Sequence, residues 1–126
     1  MKKFFIISIL FLSSCGSIKD MIPSRWDANQ SKVVTDLRQD VRHFDCNSEL
    51  TKQLENLNQK IEWFHLYAES KNTSDVDKLM EPMQITLKEF TDRSKKGPVS
   101  SIYCDLKKKI MTSQIDIIAK TVQGRF

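Results

Sequence analysis

From residue 26 onward, apolar residues recur at steps of three and four, most regularly between residues 50 and 68. There Leu50, Leu54, Leu57, Ile61, Phe64 and Ala68 form a heptad seam, which predicts a helix over 48–70. Ahead of it, Trp26, Val33, Leu37, Val41 and Phe44 fall at near-helical spacing and predict a helix over 25–45, with Ser24 or Asp27 as its cap after Pro23. Cys46-Asn47-Ser48 interrupts the pattern and supplies a new cap. Lys71-Asn72-Thr73-Ser74 reads as a polar turn, and Ser74 with Asp77 as a capping box. Val76, Leu79, Met80, Met83, Leu87 and Phe90 then predict a helix over 75–93, with a kink or break near Lys78–Glu81 because Pro82 lies inside it. Ser94-Lys95-Lys96-Gly97-Pro98 is a stop signal. The last helix, over 100–122, carries two apolar arcs about 130° apart at 100° per residue. Ile102, Tyr103, Leu106, Ile110 and Ile117 make one; Cys104, Met111, Ile115, Ile118 and Val122 make the other. Two apolar arcs predict the most buried helix of the set, touching several neighbours.

Four helices joined by short turns predict an all-α fold, an up-down four-helix bundle with its third helix kinked near Pro82. Three glycines and three prolines in 126 residues agree with long uninterrupted helices rather than a β-sandwich.

The chain before residue 23 follows different rules. Lys2 and Lys3 precede the apolar run Phe4-Phe5-Ile6-Ile7-Ser8-Ile9-Leu10-Phe11-Leu12, and small residues follow at Ser13-Ser14-Cys15. A charged start, a short apolar run and small residues describe a secretory signal. The run is too short to span a bilayer, which takes about 20 apolar residues. Leu12-Ser13-Ser14-Cys15 resembles the lipobox of bacterial lipoproteins. The resemblance implies that Cys15 takes a diacylglyceryl group through its thiolate and that cleavage before it leaves a triacylated N-terminus; the alternative is an ordinary secreted protein with a stray cysteine. In that family an Asp directly after the cysteine tends to retain the protein in the inner membrane. Gly16 stands there, so the resemblance implies transport to the periplasmic face of an outer membrane. The expected organisation is a signal peptide over 1–14, a lipidated tether over 15–25 and a helical domain over 26–126.

This N-terminal reading changes what charge and cysteine content mean. The chain carries net +4, but Lys2 and Lys3 would leave with the signal, and a mature charge of +2 gives little support to a nucleic-acid partner. With Cys15 lipidated, Cys46 and Cys104 remain, and two cysteines in an oxidising compartment are expected to pair; two free buried thiols are the alternative. Cys46 lies in the turn after the first helix and Cys104 in the first turn of the fourth. An up-down bundle brings those two places to the same end.

Enzyme chemistry finds little material. His43 and His65 lie on different helices with no spaced metal-ligand partner, no thiol is left for a nucleophile or zinc, and there is no glycine-rich phosphate loop. No cofactor, no metal and no catalytic residue is expected. Two surfaces stand as candidate binding sites. Trp63-Phe64-His65-Leu66-Tyr67 places five bulky residues in succession, which cannot all face one core. Either the helix is contacted on two sides, or Trp63, Leu66 and Tyr67 form an exposed patch able to anchor a partner. The second surface is a basic end of Arg38, Arg42, Arg93, Lys95, Lys96 and Lys107-Lys108-Lys109. Cations near helix C-termini complement the dipole, but Lys107, Lys108 and Lys109 sit early in their helix, where the dipole disfavours them.

In size, anchor, helix number and single disulfide the chain is similar to secretin pilotins, which bind a helical segment of a partner in a groove. That similarity is one of architecture, and it implies a non-enzymatic protein-binding module with an envelope protein as partner and the lipid as the link to the membrane. The wording "YCDLKKKI" through "IIAKTVQGRF" resembles small lipoproteins of marine tailed phages, which implies an alternative envelope role in superinfection exclusion or lysis, or as an immunity-type inhibitor. Neither resemblance fixes an oligomeric state.

Overall fold

The computed structural model describes residues 23–125; the expected signal peptide, Cys15 and most of the tether lie outside them. All secondary structure among the described residues is helical: α1 (Ala28–Arg42), α2 (Leu50–Ser70), α3 (Ser74–Asp77), α4 (Glu81–Lys95) and α5 (Ser101–Gln123). Four of these are long, and one disulfide joins Cys46 to Cys104.

The caps explain where the helices begin. Asp27 sits in extended backbone and accepts from the N–H groups of Asn29 and Gln30, closing the start of α1. Ser100 accepts from Tyr103 N–H at the start of α5. Thr73, rather than Ser74, occupies the cap position of α3, and no side chain there bonds the helix, so the expected capping box does not form. The stretch expected as one helix over 75–93 is divided: α3 is followed by a 3-10 turn, Lys78–Met80, and α4 opens at Glu81 with Pro82 in its first turn. Pro82 has no N–H to give the Lys78 carbonyl, and Glu81 N–H reaches that carbonyl instead, the tighter spacing of a 3-10 turn.

Each long helix packs on two others: α1 on α5 and α2, and α4 on α2 and α5. One side of each is buried in a common core. α1 contributes Val34, Leu37 and Val41, and α2 contributes Leu54, Leu57, Ile61, Phe64 and Ala68. Val76 and Met80 precede Met83, Leu87 and Phe90 of α4, and α5 contributes Met111, Ile115, Ile118 and Val122. Phe44 and Tyr103 pack their rings on Phe90 at 5.6 and 5.7 Å between centroids.

The expectation that both arcs of α5 are buried is not met. The arc through Cys104 and Met111 faces the core, but on the other arc Ile102 is 80% exposed and Ile117 64% exposed, with Leu106 exposed between them. A helix with two neighbours covers only its inward side, and an arc 130° away reaches past both.

Contacts between neighbouring helices pair residues in reverse chain order. From one end of α1 to the other, Arg125 donates to Ser24 O, Gln123 to Thr35 Oγ1, Arg38 to Asp116 and Lys108 to Phe44 O, ending at the Cys46–Cys104 bridge. Between α4 and α5, Gln114 donates to Thr86, Lys107 pairs with Glu89, and Arg93 lies over Tyr103.

Candidate functional site

Trp63, Leu66 and Tyr67 come from one turn of α2 whose inner side is already complete with Ile61, Phe64 and Ala68. With 100° between residues, Trp63 and Leu66 are turned away from Phe64 and point outward, and they are 44% and 56% exposed. Tyr67 is half-buried and stacks on Trp63, with ring centroids 4.8 Å apart and planes 10° apart. Its hydroxyl donates to Asp27 Oδ2 at 3.1 Å and accepts from Asn29 Nδ2 at 2.9 Å, and Lys71 Nζ lies 5.6 Å from its ring centre. Tyr67 thus ties the patch to the first turn of α1 and holds the Trp63 indole flat against a fixed ring. Trp26, next to Asp27 in the chain, is also exposed. The structure brings Trp63, Leu66 and Tyr67 together as one surface with two open members and one anchored member.

Arg38, Arg42, Arg93, Lys107 and Lys108 are committed to internal partners. Arg38 and Arg42 both donate to Asp116, at 3.0 and 2.8 Å on Oδ1, and the Arg42 hydrogen bond and charge hold the Asp116 carboxyl below the usual carboxylate range, against burial and with help from Arg38. Arg93 donates to the Pro98 carbonyl. Lys107 pairs with Glu89 at 2.8 Å, lies 5.5 Å from the centre of the Tyr103 ring and is only 13% exposed. Lys108 donates to Phe44 O at 2.7 Å, just past the end of α1, where the free carbonyls of the helix terminus attract a cation. Lys109 makes no ion pair among the described residues and flanks a shallow hollow with Asp105, Ser113 and Asp116. The positive charge early in α5, unfavourable for its own helix, serves two neighbouring helices.

Sequence reasoning missed a polar junction where the two ends of the described chain meet. Arg125 Nη1 donates to Asp75 Oδ2 at 2.6 Å and to Ser24 O at 3.1 Å, while Ser24 gives Asp75 both its N–H, at 3.0 Å, and its hydroxyl. Burial opposes the charge on Asp75, but the Ser24 hydrogen bonds and the Arg125 guanidinium outweigh it and hold the carboxyl far below the usual range. Beside this junction the buried Gln30 side chain donates to Thr73 Oγ1 at 2.7 Å. An acid in a first helical turn was visible in the sequence; partners 50 and 51 residues away were not.

His65 Nδ1 sits 2.8 Å from Asp77, and His43 is exposed at the end of α1. Among the described residues no group of three or more His, Cys, Asp or Glu side chains is placed to hold a metal ion. No helix among them is long and apolar enough to cross a membrane. Comparison with protein families, with curated proteins and with solved structures finds no match to this chain.

Proposed function

We propose that the chain is an outer-membrane lipoprotein, anchored through Cys15 on the periplasmic face, that acts as a non-enzymatic protein-binding module. Its four long helices run up-down-up-down, with the third bending at Lys78–Glu81, and the partner is gripped by Trp63 and Leu66, which Tyr67 braces. The reverse-order contacts between neighbouring helices and the short connections support the topology. The Cys46–Cys104 bridge fits an oxidising compartment. The observation that carries the binding role is that α2 completes its core side without Trp63 or Leu66, so two large apolar side chains stand in water where the fold does not need them.

Eight residues lie between Cys15 and Ser24, and the nine steps of chain reach at most about 32 Å. The tether enters beside Trp26 and the junction at Asp75, at the end of the bundle where Tyr67 meets α1, so the partner is met close to the membrane surface.

The test has two arms in cells making the full chain. Cys15→Ser should abolish acyl labelling and membrane fractionation; unchanged labelling ends the lipoprotein reading. A photo-crosslinking residue at position 63 should trap one discrete envelope protein that the same group at Glu55 does not trap, and Leu66→Ala should weaken that crosslink. Equal crosslinking at both positions ends the binding reading.

A further inference from the structure

The exposed arc of α5 is used neither by the core nor by the proposed partner site. Ile102, Leu106 and Ile117 stand in solvent along it, and Ile110 is half-buried. Ile85 extends the apolar surface onto α4, whose Pro82, Thr86 and Glu89 face α5 through their bonds to Gln114 and Lys107. The flank of this arc nearest α1 carries Asp105, Lys109, Asp116 and Lys120, an alternation of charge with a particular symmetry. Reversing the helix about the point between Thr112 and Ser113 places Lys120 on Asp105 and Asp116 on Lys109.

We propose that this face pairs with the same face of a second copy, α5 against α5 antiparallel, with the two-fold axis passing between Thr112 and Ser113. A two-fold interface must be complementary to itself, and this one is. Asp105 meets Lys120 of the second copy at both ends of a seam about 22 Å long, 15 residues at 1.5 Å each. At the axis stands Ser113, small and exposed, which lets the two helices approach closely. On either side of it, Leu106 of one copy lies beside Ile117 of the other, within about 3 Å along the axis, so the apolar side chains interleave rather than collide.

The state of these charges in the single chain points the same way. Two lysine-first pairs four residues apart close within their own helices, Lys32 with Asp36 and Lys88 with Asp92, both at 2.7 Å, whereas the aspartate-first pair Asp92 with Lys96 does not. On α5 neither Asp105 with Lys109 nor Asp116 with Lys120 closes; Asp105, Lys109 and Lys120 make no ion pair among the described residues. Asp116 already holds Arg38 and Arg42, so the outer pair of Asp105 with Lys120 carries the specificity.

Two differently tagged copies of the full chain, co-expressed and solubilised in excess detergent, test the pairing by co-purification. The unaltered copies should co-purify, and Leu106→Glu should abolish it. Asp105→Lys alone or Lys120→Asp alone sets like charges opposite each other at two places and should weaken self-association roughly tenfold. A copy with Asp105→Lys mixed with a copy carrying Lys120→Asp restores both pairs and should co-purify as the unaltered protein does. Ser113→Cys should form a reducible dimer across the axis, where Cα atoms about 5 Å apart are within disulfide reach, while Glu62→Cys on the exposed side of α2 should not. Unaltered melting of the three charge variants shows that they fold. Failure of the unaltered copies to co-purify, survival of co-purification in Leu106→Glu, or failure of the mixed charge variants to recover overturns the proposal and leaves the face to a different partner.

Discussion

Removing the Cys46–Cys104 bridge should cost this protein a large share of its stability margin while leaving its helices in place. The bridge closes 58 positions of chain. On the chain-entropy relation a loop of that length removes about 14 cal/mol/K from the unfolded ensemble, or about 4 kcal/mol at 25 °C. Cys104 is buried against the core, so replacing it with alanine adds a small packing loss, on the order of 1 kcal/mol. A domain of this size has about 5–15 kcal/mol in total. At roughly 4–8 °C per kcal/mol, Cys46→Ala with Cys104→Ala should lower the thermal midpoint by about 20–40 °C. Far-ultraviolet circular dichroism at low temperature should keep the native helical signal, because the ring of helix contacts does not depend on the sulfur atoms. Urea titration should show the midpoint moving together with a steeper slope, since the unlinked chain exposes more surface when unfolded. A drop of less than about 5 °C would refute the reasoning: it would mean that the unfolded chain holds its two halves together without the bridge.

Two further outcomes follow from neighbouring side chains and from charge. Phe64→Ala should destabilise by about 3–5 kcal/mol and Trp63→Ala by about 1 kcal/mol, the value of the lost ring stack, when both are compared by chemical denaturation; equal losses would mean that the indole is part of the core. Asp75 and Asp116 are held more acidic in the folded chain than in the unfolded one, so their contribution is complete above the ordinary carboxylate pKa and is lost as pH falls through and below about 4. Asp75→Asn should therefore lower the thermal midpoint at neutral pH and flatten its fall between about pH 4 and 2; an unchanged slope would show that the junction is not linked to folding.

The helices were legible because each has a continuous inward side at helical spacing. Leu54 through Ala68 on α2 is buried as the heptad seam required, and the same holds for Met83, Leu87 and Phe90. The disulfide was legible from cysteine count: with Cys15 set aside, Cys46 and Cys104 are the two that remain, and they are bonded. The second arc of α5 was not legible: apolar periodicity tells which residues share a side, but not whether a neighbour covers that side. With four long helices packed in a ring, Ile102 and Ile117 have none. Trp63 and Leu66 were legible as a pair of alternatives, and their exposure came only with the placement of α1 and α4. The surroundings of the α5 lysines were not legible for another reason. Composition counts charges, whereas Lys107 and Lys108 are committed to Glu89 and to the Phe44 carbonyl, partners 18 and 64 residues away.

The junction at Asp75 bears on how the chain can be handled. Ser24 and Arg125, 101 residues apart, are bonded directly, so the backbone nearly closes into a circle. Gly97, with φ of 138° and open space where a side chain would project, lies in the loop after α4, away from that closure. A circular permutant that joins Ser24 to Arg125 by a short glycine-rich link, giving up the segment before Ser24, and opens the chain next to Gly97 would keep all four long helices and the sulfur bridge. It would also carry its new ends in the loop between α4 and α5, where a reporter or a second binding domain could be fused.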